Sequence, residues 1–374
     1  MYLWERPGWP GLTWDEHELH ALNAQTCRDQ GRLLGRMAGL GFRLREQAHL
    51  ETAVEDVVKS SAIEGERLDA AQVRSSVARR LGGVNPDTAV SPQRHVEGIV
   101  EMMLDATVNH RRPLTSERLF AWHAALFPTG RSGMKAIRVG TWRDDAHGPM
   151  QVVSGPIGRE RVHYQAPPAA RVASEMDQFL HWFEQPGRDP VLTAGLAHLW
   201  FLTIHPFDDG NGRIARAISD LALARSENTL RRYYSLSGQI ERERDDYYAN
   251  LEWSQKGDVD VTRWLNWFLQ CLQRAIASAD SLLGAVLAKA RFWERFAGEP
   301  FNPRQIKVLN RVLDGLDGKL NSSRWARMAK CSQDTATRDI NDLLSRGVLH
   351  KGPGGGRSTS YQLVLPGDNT ATNP

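Results

Sequence analysis

Cysteine is scarce in this chain. The three present, Cys27, Cys271 and Cys331, stand far apart and outside any CxxC or His-rich spacing. That excludes a disulfide framework and a thiolate zinc site, and leaves three reduced thiols. Long apolar runs are missing as well: no stretch reaches the roughly 18 residues of a membrane span. The opening Met1-Tyr-Leu-Trp-Glu-Arg-Pro-Gly-Trp-Pro10 has no basic segment with an apolar core behind it. No membrane partner and a cytoplasmic location are therefore expected. Neither sign of charge prevails, since 47 Lys and Arg face 44 Asp and Glu for a formal net charge of +3. Overall charge selects no nucleic-acid partner, and only local patches can. What remains is an ordinary soluble composition, 41% apolar and 24% charged, in 374 residues, enough for two or three domains.

The chemistry gathers in one stretch, His205-Pro-Phe-Asp-Asp-Gly-Asn-Gly-Arg-Ile-Ala-Arg216, directly behind an apolar helical run from Leu192 to Ile204. Pro206 forces His205 off the end of that run, and Asp-Gly-Asn-Gly permits a tight turn with unusual backbone angles. The next helix shows an apolar face of Ile214, Ala217, Ile218, Leu221 and Leu223. Its free N–H groups and positive dipole end point back into the turn, where an oligophosphate can bind. Arg213 and Arg216, three apart, share one side of that helix and suit bidentate phosphate contact. A lone carboxylate in such a place suits Mg²⁺, which binds by one or two carboxylates plus substrate phosphates; Asp209 is the candidate. His205, at the mouth of the anion site, can take a proton from an incoming hydroxyl. A plain helix cap is the alternative, but it leaves the base, the acid and the arginines together unexplained.

The same run resembles the signature of Fic proteins, His-x-Phe-x-(Asp/Glu)-Gly-Asn-Gly-Arg-x-x-Arg, at every fixed position. The resemblance implies transfer of AMP from ATP to a Tyr, Thr or Ser hydroxyl of a target protein, with release of pyrophosphate. It further implies that His205 deprotonates the hydroxyl, Phe207 anchors the loop and Asp209 holds Mg²⁺ on the α- and β-phosphates. Gly210, Asn211 and Gly212 would form the anion hole, Arg213 would bind phosphate oxygens and Arg216 the γ-phosphate. The related Doc phosphotransferases carry Lys where Gly212 stands, so Gly212 favours nucleotidyl over phosphoryl transfer. The implied fold is mainly α, a Fic helical bundle with a small β-hairpin flap over the active site.

The flanking sequence divides accordingly. Residues 1–85 read as a helical N-terminal domain. Thr13 with Glu16 suggests a capping box, one helix spans Asp15 to Gly39 and a second about Arg43 to Lys59. Its Trp4, Pro7, Trp9, Pro10 opening resembles an uncharacterised domain found ahead of Fic domains. Ser60-Ser-Ala-Ile-Glu64-Gly65-Glu66 matches the (Ser/Thr)-x-x-x-Glu-(Gly/Asn) pattern of the family's inhibitory helix, which implies that Glu64 pairs bidentately with Arg216. A helix end capped by Gly65 with solvated acids is the alternative reading of those residues. In some relatives this glutamate also positions water for removal of AMP.

Residues 90–280 read as the catalytic domain, with helices from Arg94 to Asn109, from Thr115, from Ala170 to Glu184 and from Asp189 to Ile204, and with His123 a helix-face or core histidine. Thr141–Arg143, Met150–Ser154 and Arg161–Gln165 suit short strands with a turn at Gly155–Gly158. As the flap of the resemblance, Val152, Val153, Val162 and His163 would dock a target strand; an ordinary surface hairpin is the alternative. Tyr248 and Gln255, seven apart on one helical face, match the family's adenine-pocket positions, although Asn is usual at the second.

Residues 300–365 form a further unit. A helix from Pro303 carries Ile306, Val308, Leu309, Val312 and Leu313, and helices Ser322–Lys330 and Asp334–Ser345 follow. Two strands come last, at Arg346–Lys351 and Thr359–Val364, around a Gly-rich loop. This resembles a winged helix, with Asp334, Thr335, Thr337 and Arg338 on the recognition helix and Lys351 and Arg357 on the wing. A DNA partner is therefore in play, as is a DNA-binding regulator whose Fic fold senses nucleotide. A homodimer is left open by the sequence. The tail, 366–374, is polar and expected to be disordered.

Overall fold

The first long helix, α1 (Glu16–Ala38), is started by Asp15 and not by Thr13: the Asp15 carboxylate accepts from the Glu18 N–H at 3.0 Å. Thr13 is used elsewhere, its backbone bridging to Val259 and Val261. The structure, a computed structural model, describes residues 1–82, 92–146, 148–155, 159, 161–313, 316, 318–352 and 359–364. Helix α2 (Phe42–Ile63) runs past its expected end and takes Ser60 into its last turn, with Glu64 as C-cap and Gly65 leaving at φ 83°. There follow α3 (Ala70–Arg80), α4 (Arg94–Val108) and α5 (Ser116–Leu126), the first and last capped by Asp69 and Thr115.

A small hairpin that the sequence did not suggest comes next, β1 (Arg131–Ser132) with β2 (Lys135–Ala136). Thr141–Arg143, expected as a strand, is irregular, because Arg143 is committed to the loop described below. The expected hairpin is present as β3 (Gln151–Ser154) and β4 (Arg161–Gln165), antiparallel, with Val152 opposite Tyr164 and Val153 opposite Val162 across a bulge. Residues 156–158 of its turn lie outside the described residues. There follow α6 (Ala169–Phe183), α7 (Pro190–Ile204), α8 (Asn211–Glu227), α9 (Leu236–Arg242), α10 (Arg244–Gln255) and α11 (Thr262–Arg295), the last of which runs on into the second unit described below.

Helix α7 is apolar all round, as a central helix must be, and every residue from Thr193 to Ile204 is buried. Helix α8 packs along it. Two glycines permit close crossings. A Cβ on Gly98 would sit 1.7 Å from the Ala125 carbonyl oxygen of α5, and one on Gly195 would sit 2.9 Å from the Phe268 ring of α11.

Helix α2 meets α8 along one face. Asp56, Ser60 and Glu64, four apart, face Asp220, Arg216 and Gly212, four apart in reverse order. At the far end of this seam lies a buried ionic cluster. Arg232 pairs with Asp220 at 3.2 Å and approaches Glu227 at 3.8 Å, while Asp56 accepts from the Ser235 hydroxyl at 2.6 Å. Burial, then the proximity of Asp220, raises the Asp56 carboxyl well above its ordinary value, and burial brings Asp220 up to about 6.

The chain forms two compact units, Met1–Ala279 and Asp280–Pro374, and residues 1–82 pack within the first. The second contains α12 (Pro303–Leu313), α13 (Ser322–Ala329), α14 (Gln333–Ser345), β5 (Leu349–Lys351) and β6 (Tyr361–Leu363), with Leu349 opposite Leu363. Val308, Leu309, Trp325, Ile340, Leu343 and Val348 fill its core. Ile306, expected in that core, is 40% exposed; Gln305 is buried instead and bonds Asp342 at 2.7 Å. Arg357 and the tail lie outside the described residues. Among the described residues no helix is long and apolar enough to cross a membrane.

Gly98→Ala is expected to destabilise the first unit by about 1–3 kcal/mol, because α4 and α5 would have to move apart. Urea unfolding measures this, and an unchanged midpoint would contradict the crossing described.

Candidate active site

The turn between α7 and α8 begins with a strained residue. His205 caps α7 at φ 51°, ψ 59°, a left-handed conformation that costs a non-glycine residue about 1–3 kcal/mol. Four contacts hold it there. Arg143, buried, donates from Nε to the His205 carbonyl at 2.8 Å and from Nη2 to the Pro167 carbonyl at 2.5 Å. Its backbone N–H reaches the Pro206 carbonyl at 2.9 Å. The Phe207 ring, fully buried, stacks on His123 at 4.2 Å between centroids. His123 is thus a core histidine with a positioning task. Its Nδ1 accepts from the Gly140 N–H at 3.2 Å, so Nε2 carries the proton and donates to the Asp209 carbonyl at 3.2 Å.

Asn211 closes the loop. Its Oδ1 accepts from the Phe207 N–H at 3.0 Å and its Nδ2 donates to the Phe207 carbonyl at 2.8 Å. With both ends of the side chain so used, what Asn211 offers an anion is its backbone N–H. The first intrahelical bond of α8 runs from Ile214 to the Gly210 carbonyl at 3.0 Å, so the N–H groups of residues 211–213 precede it and face the turn. Gly210 adopts φ 81° as N-cap.

The His205 ring has Nδ1 3.3 Å from the Leu202 carbonyl, an acceptor only, so Nδ1 carries the proton and Nε2 keeps its lone pair. The residue has a partly open edge, yet desolvation of the ring pulls its pKa down to about 4. At neutral pH it is an uncharged base. Asp209 accepts from the Gly210 N–H at 2.5 Å and from the Ser132 hydroxyl on β1. Among the described residues no three His, Cys, Asp or Glu side chains are grouped to hold a metal by themselves. A lone carboxylate beside an anion cradle is the donor set of a cation that completes its shell from a bound phosphate.

Both arginines of the loop are held by acids from beyond the end of α2. Arg216, 1% exposed, donates from Nε to the Ser60 hydroxyl at 2.9 Å and from Nη2 to the Ser60 carbonyl and to Glu64 Oε1, each at 2.8 Å. The expected bidentate pairing is therefore a single contact, because Ser60 takes the remaining donor positions on that side. Nη1 is buried with no hydrogen-bond partner. Gly212 makes room for the glutamate: a Cβ there would lie 2.1 Å from Glu64 Oε1. Glu66, which the sequence reading passed over, pairs with Arg213 Nη1 at 2.9 Å. Two neighbouring acids, two positions apart, against two arginines three apart was the signal available.

Other expected positions fall differently. The Tyr248 hydroxyl donates to the Ile63 carbonyl at 3.3 Å, at the end of α2 and beside the loop. Gln255 is buried, its Nε2 donating to the Leu202 carbonyl at 3.0 Å, so it secures α7 and does not line an open wall. On the hairpin Val153 and Val162 are exposed at 48% and 38%, with Val152 partly so. His163 is engaged, its Nδ1 2.7 Å from Glu252 and its Nε2 2.6 Å from the Ser154 hydroxyl.

Residues 113–223, which include the whole loop, match the model of the Fic/DOC family. The segment is a Fic/DOC domain. Residues 2–82 match a domain of unknown function, DUF4172. Among curated proteins, the protein adenylyltransferase fic-1 of Caenorhabditis elegans is 31% identical over 91 residues, 24% of this chain and 17% of that protein. The protein adenylyltransferase Fic of Nematostella vectensis is 29% identical over 121 residues, 31% of this chain and 26% of that one. The matched part is thus about a quarter or less of the length of these relatives. Among solved structures, a Fic family protein from Desulfovibrio desulfuricans G20 superposes with a TM-score of 0.52 at 21% identity, covering 91% of this chain and 95% of that one. Fic-1 of C. elegans gives 0.51 at 20% identity, covering 72% and 74%. At these identities the likeness is one of fold, and the Fic/DOC domain here sits in a mainly helical chain with small antiparallel hairpins.

Asn211→Ala leaves the Phe207 N–H and carbonyl without partners, and a loss of about 2 kcal/mol in folding stability is expected. Thermal unfolding checks this; an unaltered Tm would mean that the side chain does not hold the loop.

Proposed function

We propose that this protein transfers AMP from ATP to a hydroxyl side chain of a target protein and is held in check by Glu64. One observation carries the reading: an uncharged imidazole with a free Nε2 stands at the N-terminus of a helix whose two arginines are each occupied by a carboxylate. The triphosphate would lie on the N–H groups of residues 211–213 with its terminal phosphate at Arg216. The target's Tyr, Thr or Ser oxygen attacks the α-phosphorus, its proton passes to His205 Nε2, and the α–β anhydride bond breaks to release pyrophosphate. Asp209 would hold Mg²⁺, whose contribution when bound is to offset phosphate charge. The exposed Val153 edge of the hairpin suits addition of a target strand. That relatives of the Fic/DOC segment are named protein adenylyltransferases supports the same reading.

Glu64 supports the inhibitory part. Its side chain is 34% exposed while Arg216 is 1% exposed, so the carboxylate can be exchanged for a phosphate and the guanidinium cannot leave. With Glu64 seated on Gly212, the terminal phosphate is kept from Arg216 and the α-phosphorus from alignment with His205. This contact is made within a single chain.

With α-labelled ATP and Mg²⁺, Glu64→Gly is expected to raise labelling of itself or of a target about tenfold. Adding His205→Ala should remove about 10²–10⁴-fold of it. Equal labelling of parent and Glu64→Gly would refute the inhibitory role, and labelling that survives His205→Ala would refute the base. Because His205 is uncharged above about 4, the Glu64→Gly rate should hold level as pH falls through 6.5 and drop only near 4. An inflection at 6.5 would mean an imidazole with its ordinary pKa.

A second reading concerns the C-terminal unit. Thr337 and Arg338 on α14 and Lys351 on β5 are exposed, a pattern suited to phosphate contact by a recognition helix and wing. Duplex DNA binding that weakens steeply between low and moderate salt is the expected outcome in a mobility-shift titration. No shift at low salt removes the DNA-binding alternative.

A further inference from the structure

The acids that hold the two arginines of the loop are carried by a single turn. Beyond Ile63 the chain leaves α2 through Gly65, whose N–H donates to the Ala62 carbonyl at 2.9 Å, while the Glu66 N–H donates to the Ser61 carbonyl at 3.0 Å. This paired closure needs the left-handed φ of 83° that glycine supplies. The helix end it closes is itself anchored on α8, since Ser60 receives Arg216 through both its hydroxyl and its carbonyl. Acids only two apart thereby reach arginines three apart, Glu64 Oε1 to Arg216 Nη2 at 2.8 Å and Glu66 Oε2 to Arg213 Nη1 at 2.9 Å.

The second contact repeats the character of the first. The Arg213 side chain is 9% exposed and that of Glu66 37%, so again a sealed guanidinium meets a carboxylate with water on one side. Arg213 has one face covered, its guanidinium carbon lying 5.1 Å from the centroid of the Phe127 ring, and its Nε is buried with no hydrogen-bond partner. The other oxygen of Glu66 stands 3.9 Å from His95 Nε2, beyond hydrogen-bond distance. The turn itself is closed by backbone groups, so the Glu66 carboxylate can leave Arg213 without undoing it.

We infer that Glu66 is a second inhibitory carboxylate: it occupies Arg213 as Glu64 occupies Arg216, and the phosphates of a nucleotide gain the arginine of the first turn of α8 only by displacing it. The inference rests on the nucleotide reading given above and extends it, because Glu64→Gly then opens one of two closures. The mutual spacing of the acids, set by Gly65, lets one turn cover both cations at once.

Binding of ATP with Mg²⁺ is measured by calorimetry on the full-length chain carrying Glu64→Gly, and on that variant with Glu66→Ala or with Asp208→Asn added. Glu66→Ala is expected to tighten ATP binding about fivefold, the effect of freeing a largely buried guanidinium from a part-exposed partner. Asp208→Asn removes the same charge from the loop itself; that side chain accepts from the Arg138 N–H at 2.9 Å, a bond an amide oxygen can also accept, and affinity should stay within about twofold. Unchanged ATP affinity with Glu66→Ala overturns the inference and leaves the nucleotide reading standing. An equal gain from Asp208→Asn does the same, since it would show an effect of net charge and not of the Arg213 contact. If none of the variants binds ATP, the nucleotide reading falls and this inference with it.

Discussion

A guanidinium sealed from water is the constraint around which this protein is arranged. Arg216 sits in the middle of a helix that is buried on almost every side, and a full charge in such a place must be matched by neighbours or it unfolds its surroundings. The Ser60 hydroxyl and carbonyl and one oxygen of Glu64 supply the match. Burial works against the charge, and Glu64 above all keeps the guanidinium pKa raised. Two of these partners come from one helical turn, so the last turn of α2 lies on α8 because Arg216 requires it. The one buried nitrogen left over marks the direction from which further negative charge would be welcome.

The loop beside it is rigid for a different reason. His205 occupies a backbone conformation that a histidine before proline does not choose, and the surrounding groups over-determine it. Arg143 ties down three carbonyls at the end of α7 and the start of the turn, the Phe207 ring is clamped by His123, and Asn211 grips the same residue through its backbone. Such redundancy lets a neutral imidazole be held at a fixed point without any polar partner on Nε2, the atom that must stay free for chemistry.

How much of this could be seen in the residues alone depended on the range of the interaction. The twelve-residue run from His205 to Arg216 carried its meaning locally, through proline, glycine and arginine at fixed spacing, and its placement between two buried helices followed from hydrophobic period. Elements with strong apolar faces, α4, α6 and α14, lie within a residue or so of where periodicity put them, as does α7, marked by its unbroken apolar run. What stayed hidden was settled by partners far along the chain. Thr13 lost its capping role to a bridge with residues near 260, and Arg143 looked like part of a strand because its acceptors, the carbonyls of 167 and 204–206, carry no side-chain signal. Gln255 has the spacing of a pocket residue but the burial of a core one. Ile306 yielded its place to Gln305 because two aspartates of α14 were there to receive an amide. The Glu64 contact was legible in kind and misjudged in detail, since nothing local said that Ser60 would share the arginine.

The far end of the α2–α8 seam bears on how release of Glu64 would work. Asp56, eight residues before Glu64, is buried beside Ser235, Asp220 and Arg232, where a carboxyl is tolerated because its proton is held unusually firmly. Withdrawing all of α2 would drag that group into solvent and strip the cluster of its counterpart. Displacing only the Glu64 carboxylate, at the C-cap just before the left-handed Gly65, disturbs none of it. A competing anion thus contends with one part-exposed carboxylate at a helix terminus, while Ser60 and the buried turn before it keep their hold on Arg216.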